Sequence, residues 1–379
     1  MSGAPPLRVG VVGYGVMGKA HCYAYRVAPM LRWLPVTPVV AVISGRNEPA
    51  VAAAAAAYGV AEHTTDWRAL VGREDIHVVD ICTPPGTHAE IAAAAAAAGK
   101  AVFCEKPLAV SYRDAAAALA AVTAAGVRNA VSFNYRRLPA VSLMRRMIAD
   151  GAVGEVRLWR ATWLSDEFTD PATPFDWRFD RAMGGTTIAD LGSHLVDLAH
   201  WQVGGIRAVC AQAETFIRSR PDAAGGTRDV TVDDAASALL RFDCGAIGTM
   251  EVARAAVRRP CDFTIEVNGS RGTLVFDYAR LNELRYGRAD DDPGLYGMRR
   301  IRAEHPSHPY AAGWWPLGQG VGYGSSFVNQ VADLLQGWPG APWEPGFREG
   351  AAAQAVCAAM EASAAEGRWV AVSEVTGAP

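Results

Sequence analysis

The sequence has no C-x-x-C pair among its seven cysteines, at 22, 82, 104, 210, 244, 261 and 357. An odd number scattered through apolar runs fits buried reduced thiols and argues against a disulfide framework or a zinc site, and no metal is expected. There is no Lys/Arg-rich stretch, and 36 basic against 39 acidic residues leave a net charge of −3. Nucleic acid and anionic membranes are therefore not expected as partners. No run has both the length and the Leu/Ile/Phe content of a membrane span; the alanine runs at 52–57 and 92–98 read as Ala-rich helices. No charged segment followed by an apolar stretch precedes Leu7, so no secretory signal is expected and the compartment expected is cytoplasm. Internal repeats are missing too.

What is present is length and alternation. A chain of 379 residues, half of them hydrophobic, exceeds one ordinary core and predicts two domains, 1–130 and 131–379. In the first, apolar runs at Leu7–Val12, Val39–Ile43, Val78–Cys82, Ala101–Cys104 and Ala130–Phe133 alternate with helical stretches to about Ala28 and near 48–58, 88–98 and 111–125. That pattern predicts an α/β domain with a parallel, doubly wound sheet covered on both faces. In the second, alternating segments at Glu155–Trp163, Ala208–Arg218, Ala235–Phe242, Ala246–Arg254, Asp262–Val267 and Thr273–Phe276 predict an α+β domain with an open, mainly antiparallel sheet. One helix is expected near 186–201, a long loop over 288–324, and two closing helices, 325–337 and 346–366, which can pack back on the first domain.

Gly13, Gly15 and Gly18 form G-x-G-x-x-G between the first strand and a helix. Such a turn lets backbone approach a pyrophosphate at a helix N-terminus, with Val16 and Met17 carried beside it. The acid that usually ends the second strand and binds a ribose is missing: the chain reads Ile43-Ser44-Gly45-Arg46-Asn47. Ser44 and Arg46 suit either a 2′-hydroxyl or a 2′-phosphate, so NAD(H) is the first expectation and NADP(H) the alternative. Arg46 as a solvated loop residue stands beside that reading.

Other chemistry-bearing residues fall at strand ends, where ligands bind in such sheets. These are Thr83 and Pro84 with His88, Glu105-Lys106 before Pro107, and Asn134 with Arg136. His88 as a helix cap and Arg136 as a linker ion pair are the plainer readings. Further on, Gly184-Gly185 leads into a helix on which Asp190, His194, Asp197 and Trp201 share a face by α-helical spacing, and a carboxylate one turn from an imidazole can orient it. Trp177-Arg178 precede this turn. The loop Trp163–Asp180 mixes aromatics with acids, among them Trp163, Asp166 and Asp176, and suits a sugar or amino-sugar substrate, or else a solvated loop anchored by its aromatics. His305, His308, Trp314 and Trp315 are further candidates for the pocket lining, without metal-ligand spacing.

The ordered set Gly13-Tyr-Gly15-Val-Met-Gly18, Glu105-Lys106-Pro107 and Gly184-Gly185…Asp190-x-Gly192-x-His194-x-x-Asp197 resembles the glucose–fructose oxidoreductase / inositol dehydrogenase / rhizopine-catabolism (Gfo/Idh/MocA) family over nearly the whole chain. The resemblance implies a Rossmann domain, a catalytic group of Lys106, Asp190 and His194, Trp177-Arg178 near the cofactor, and a homodimer or homotetramer formed through the open sheet. It also implies hydride transfer between nicotinamide and a secondary hydroxyl or keto group of a sugar, inositol, anhydrosugar or amino sugar. His194 would take the hydroxyl proton, Lys106 would hydrogen-bond the same oxygen, and their roles can be exchanged. Two other expectations stand beside it: redox-neutral glycoside processing with bound NAD, and a non-catalytic dinucleotide sensor.

Overall fold

The computed structural model describes residues 4–377, which divide into two compact units. The first contains the residues up to Arg137 together with Gly322–Ala351; the second contains Leu138–Val321 and the chain from Ala352 onward. The sequence pattern places the domain boundary at 130/131. In the structure it lies after Arg137, and a C-terminal segment returns to the first unit.

In the first unit the order is β1 (Pro6–Val12), α1 (Val16–Leu31), β2 (Thr37–Ser44), α2 (Glu48–Tyr58), β3 (Glu62–Thr64), α3 (Trp67–Val71), β4 (Val78–Ile81), α4 (His88–Ala97), β5 (Ala101–Cys104), α5 (Tyr112–Ala124) and β6 (Asn129–Val131). All strand pairs are parallel, in the order β3-β2-β1-β4-β5-β6. The chain runs outward from β1 in both directions, so the β1/β4 boundary is the topological switch point. The short elements β3 and α3 carry no periodic signal and escape the sequence reading.

The second unit begins with α6 (Pro139–Ala149), which the sequence reading also passes over, and continues through β7 (Val156–Leu164), α7 (Ser193–Gln202), β8 (Ile206–Glu214), β9 (Ser219–Pro221), β10 (Thr227–Asp229), β11 (Ala235–Phe242), β12 (Ile247–Ala253), β13 (Asp262–Gly269), β14 (Gly272–Asp277), β15 (Glu283–Arg288) and β16 (Arg299–Arg302). Part of the loop expected over 288–324 is thus the strand β16. α8 (Gly324–Gln336) belongs to the first unit, α9 (Phe347–Glu366) crosses the boundary, and β17 (Val370–Ala371) and α10 (Val372–Thr376) end the chain.

Nine strands form one sheet, β16-β15-β14-β13-β7-β12-β11-β8-β17, antiparallel except for the β7/β12 pair. Burial alternates along β11, β12 and β13, as expected when one face packs on a core and the other stays open. Leu239 and Ile247 stand on the open face, each at least half exposed.

In the first unit α8 packs against α1 and turns a polar stripe inward. Gln330 Nε2 donates to the Val131 carbonyl at 3.0 Å, Asn329 Nδ2 to that of Arg137 at 3.1 Å, and Asn134 Nδ2 donates to Ser326 Oγ at 2.8 Å. The Gln330 and Asn329 amides thus satisfy buried backbone carbonyls at the end of β6 and in the segment after it. A buried polar face of this kind reads in sequence as a solvated one.

Candidate active site

The three glycines of the first turn are glycine for three different reasons. Gly13 has φ +110°, and a Cβ there would lie 2.5 Å from the Cys82 carbonyl oxygen. A Cβ on Gly18 would overlap the Gly13 carbonyl, so α1 could not start so close beneath β1. Gly15 meets nothing within 4 Å, and as N-cap of α1 it makes no side-chain bond to the helix amides. Open space at the N-terminus of a helix is what a pyrophosphate requires, so these residues fit a dinucleotide. Val16 is exposed and Met17 partly buried beside it. We expect Gly15→Ala to leave thermal stability unchanged while weakening dinucleotide binding by about tenfold or more, because the methyl fills ligand space only. Gly13→Ala should instead cost about 1–3 kcal/mol of stability through backbone strain. Calorimetric titration and thermal melts of the two variants separate the effects.

At the end of β2, Ser44 is buried and its carbonyl accepts the Gly13 N–H at 2.9 Å. Gly45 has no room for a side chain because the Tyr14 ring lies against it, and Tyr14's own carbonyl accepts from the Tyr58 hydroxyl at 2.9 Å. Arg46 is exposed, and Asn47 is spent capping α2.

His88 is the first residue of α4 but does not cap it. Its ring joins two loops, with Nδ1 2.9 Å from the Pro107 carbonyl and Nε2 2.7 Å from that of Thr83. Burial lowers its pKa, so it holds these loops as a neutral ring donating to one carbonyl at a time. Thr83 also accepts from the Thr87 hydroxyl at 2.7 Å, and Pro84 is partly buried. Lys106 is partly exposed, whereas Glu105 is buried with Oε2 3.0 Å from the Lys106 N–H. Beneath them lie His21 and Asp80, both 0 % exposed and 2.9 Å apart. The sequence reading missed this pair. A charge inside the otherwise apolar Val78–Ile81 and a histidine three residues past Gly18 were the available signals. Asn134 and Arg136 are buried, and the next residue, Arg137, pairs its Nε with Asp333 Oδ2 at 2.9 Å.

In the second unit the predicted helix starts with a different winding. Ile188–Gly192 is a π-helix before α7 starts at Ser193, so Asp190 lies on the wider turn that precedes the α-helical stretch carrying His194, Asp197 and Trp201. His194 and Asp197 are buried, and the Trp163 ring stacks on His194 at 5.4 Å with Phe263 on its other side at 5.0 Å. Trp163, expected at a substrate, is buried with its ring against the imidazole.

Asp190 is held by a residue the sequence reading did not consider. Arg254, 1 % exposed, places Nη1 3.5 Å from Asp190 Oδ2 while Nε and Nη2 donate to Thr187 Oγ1 (2.9 Å) and the Gly185 carbonyl (2.7 Å). Gly185 itself abuts the Arg178 backbone and has no space for a Cβ.

Asp233 receives the Thr187 and Ile188 N–H groups, both at 3.1 Å, at the start of the π-turn. Burial raises its pKa to about 6 despite the nearby Arg254 charge. Folded Asp233 thus holds its proton more tightly than unfolded Asp233. The resulting stability is complete below the unfolded value near 3.8 and is lost as pH rises through about 6. Relative to Asp233→Asn, the wild type should lose about 3 kcal/mol between pH 4 and 7, measurable by denaturant titration at each pH.

The aromatic, acidic loop is largely self-satisfied. Phe168, Phe179, Val230 and Val232 form a satellite core with Phe175 against it. Asp170, Asp176 and Asp180 each accept a backbone N–H two residues on, and Asp176 and Asp180 also pair with Arg178 and Arg228. Trp177 is partly buried under the Arg178 guanidinium, and Asp166 is partly buried with its carbonyl accepting from Thr169. His305 bonds Ser307 within its own loop.

Comparison with known proteins agrees with this architecture. Residues 7–133 match the model of the oxidoreductase family with an NAD-binding Rossmann fold, and residues 141–275 match the GFO/IDH/MocA C-terminal domain. Levoglucosan dehydrogenase of Pseudarthrobacter phenanthrenivorans is 39% identical over 98% of this chain and 99% of its own. The structure of a levoglucosan dehydrogenase in complex with NADH and levoglucosan superposes with TM-score 0.94 at 40% identity, covering 97% of this chain and 99% of that one. An oxidoreductase domain protein from Kribbella flavida gives 0.94 at 44% identity, again covering 97% and 99%. Family models over both parts of the chain and end-to-end likeness to a curated relative lead to one conclusion: the chain belongs to the Gfo/Idh/MocA family of NAD-binding oxidoreductases.

Proposed function

We propose that this enzyme is an NAD(H)-dependent dehydrogenase of a neutral cyclic sugar, an anhydrosugar of the levoglucosan kind, acting on a secondary hydroxyl. The end-to-end likeness to levoglucosan dehydrogenase carries the reading. A neutral substrate is favoured over an amino sugar because three of the five acids of the 163–180 loop, Asp170, Asp176 and Asp180, already accept backbone amides, and Asp176 and Asp180 also pair with arginines.

Gly13, Gly15 and Gly18 would hold the dinucleotide with Val16, Met17, Ser44, Arg46, Thr83 and Pro84 around it. When bound, nicotinamide supplies the hydride acceptor. His194 takes the hydroxyl proton, Lys106 donates a hydrogen bond to the same oxygen and stabilises the charge developing there, and Asp190 orients the pair. Only three of the 36 basic residues are lysines (19, 100 and 106), which makes Lys106 a rare group placed at a strand end. A preference for NAD(H) is supported by the likeness to levoglucosan dehydrogenase structures in complex with NADH.

The chain is placed in the cytoplasm, consistent with seven unpaired cysteines; no described helix is long and apolar enough to cross a membrane. A homodimer or homotetramer would use the open sheet face around Leu239 and Ile247. The test of function is titration with NADH and NADPH, then a screen at the nicotinamide absorbance band with levoglucosan, inositols, hexoses and amino sugars. Turnover of levoglucosan with NAD supports the proposal; activity confined to amino sugars, or glycoside cleavage without net cofactor reduction, overturns it.

A further inference from the structure

Lys106 stands on a buried chain of polar groups that hydride transfer does not itself use. The His21 ring, fully buried, has Nδ1 2.9 Å from Asp80 Oδ1 and Nε2 3.0 Å from Glu105 Oε1. Carboxylates against both ring nitrogens call for both to be donors, which only the imidazolium provides. Burial alone would favour the neutral ring, but attraction to Asp80 together with the interactions of Asp80 and Cys82 with the ring outweighs it and holds the His21 pKa well above its ordinary value. Glu105, despite its own burial, is held below the usual carboxylate range by the His21 bond and the charges of His21 and Lys106.

The ring is fixed in orientation by Phe103, stacked at 4.8 Å, and by Phe327 at 5.7 Å. The other groups facing it are the Cys82 thiol, 3.3 Å from Nδ1, and the Ser132 hydroxyl, 3.4 Å from Nε2, with Gln330 behind Ser132 and Tyr25 beside Asp80. Burial pushes Cys82 and Tyr25 up, so both stay protonated, and the charges here are those of Asp80, His21 and Glu105. The free end of this chain is Glu105 Oε2 on the Lys106 N–H, while the next carbonyl, Pro107, is held by His88.

We propose that His21 is a positioning residue for Lys106: clamped between Asp80 and Glu105, it fixes the carboxylate from which the Lys106 backbone hangs. The inference rests on Lys106 being the catalytic ammonium. His21 touches no reacting atom. Its loss lets Glu105 and the Lys106 peptide shift, and a displacement of about 1 Å at a reacting group costs on the order of 10²-fold in rate.

Because the chain has three lysines, acylation by a small amine-reactive ester, read by mass spectrometry, reports Lys106 against exposed Lys19 in the same molecule. His21→Gln keeps a donor for one carboxylate only. It should lower kcat by about 10–100-fold with KM and the NADH Kd within about threefold, and change the Lys106/Lys19 acylation ratio by about threefold or more. Combined with Lys106→Ala it should add no further loss of kcat, since both act through one group. Wild-type kcat and acylation in His21→Gln, or losses that multiply in the double variant, overturn the proposal. Should Lys106→Ala alone retain full turnover, the catalytic assignment of Lys106 fails, while the acylation ratio still decides the positioning. If His21→Gln does not fold, Glu105→Gln, which keeps an acceptor for the Lys106 N–H without the charge, is read the same way, and wild-type behaviour there overturns it.

Discussion

Lys106→Ala is expected to lower kcat by about 10³-fold or more while leaving the NADH Kd within about threefold. The residues proposed to bind phosphate are Gly13, Gly15 and the first turn of α1, a role separate from that of the Lys106 side chain, so cofactor affinity should be spared. A group that stabilises charge only as the hydroxyl ionises contributes to the transition state more than to the ground state, so the loss should fall on kcat rather than KM. Stopped-flow hydride transfer, with fluorescence titration of NADH, distinguishes this from a binding defect. Lys106→Arg should recover little, because a planar fork replaces a compact ammonium on a longer stem. Full activity in the alanine variant would remove Lys106 from the mechanism.

Arg254→Leu is expected to give the largest loss of stability of any single change at the site. Its guanidinium is buried and serves the Gly185 carbonyl, the Thr187 hydroxyl and the Asp190 carboxylate at once. Leucine fills part of the volume but leaves those acceptors facing an apolar group. Removing one partner from a buried ionic cluster typically costs about 3–5 kcal/mol, which for a unit of this size lowers Tm on the order of 10 °C. Because Arg254 holds the π-turn that carries Asp190, turnover should fall together with stability, whereas NADH affinity should not. Thermal melts and calorimetric NADH titration on one preparation check both. Arg254→Lys should rescue only part of the stability, since one ammonium cannot reach three acceptors in fork geometry. A melt unchanged from wild type would show that the cluster carries no net stabilisation.

Periodicity and glycine placement were enough to read the first unit's sheet, because each strand there is a continuous apolar run and each turn needs residues whose conformational demands are local. Gly18 belongs to this class through backbone sterics within one β–α turn, and Gly13 through its positive φ. The motif order likewise sufficed for the family, and hence for the two-part architecture.

What was illegible depends on partners distant in the chain. Asp80 and Glu105 are 59 and 84 positions from the His21 ring they share, and Arg254 acts on Asp190 from just beyond the end of β12. Local pattern treats such residues as isolated charges. The π-turn at Ile188–Gly192, the inward polar stripe of α8 and the use of Phe168 and Phe179 as core follow from the same cause.

The sequence by itself therefore determined the β–α alternation, the phosphate turn and the lysine and histidine worth testing, since these rest on interactions between near neighbours. Only the tertiary structure decided which buried charges face each other and which aromatics are spent on packing. Burying a charge is tolerated only where folding brings its counterpart to it.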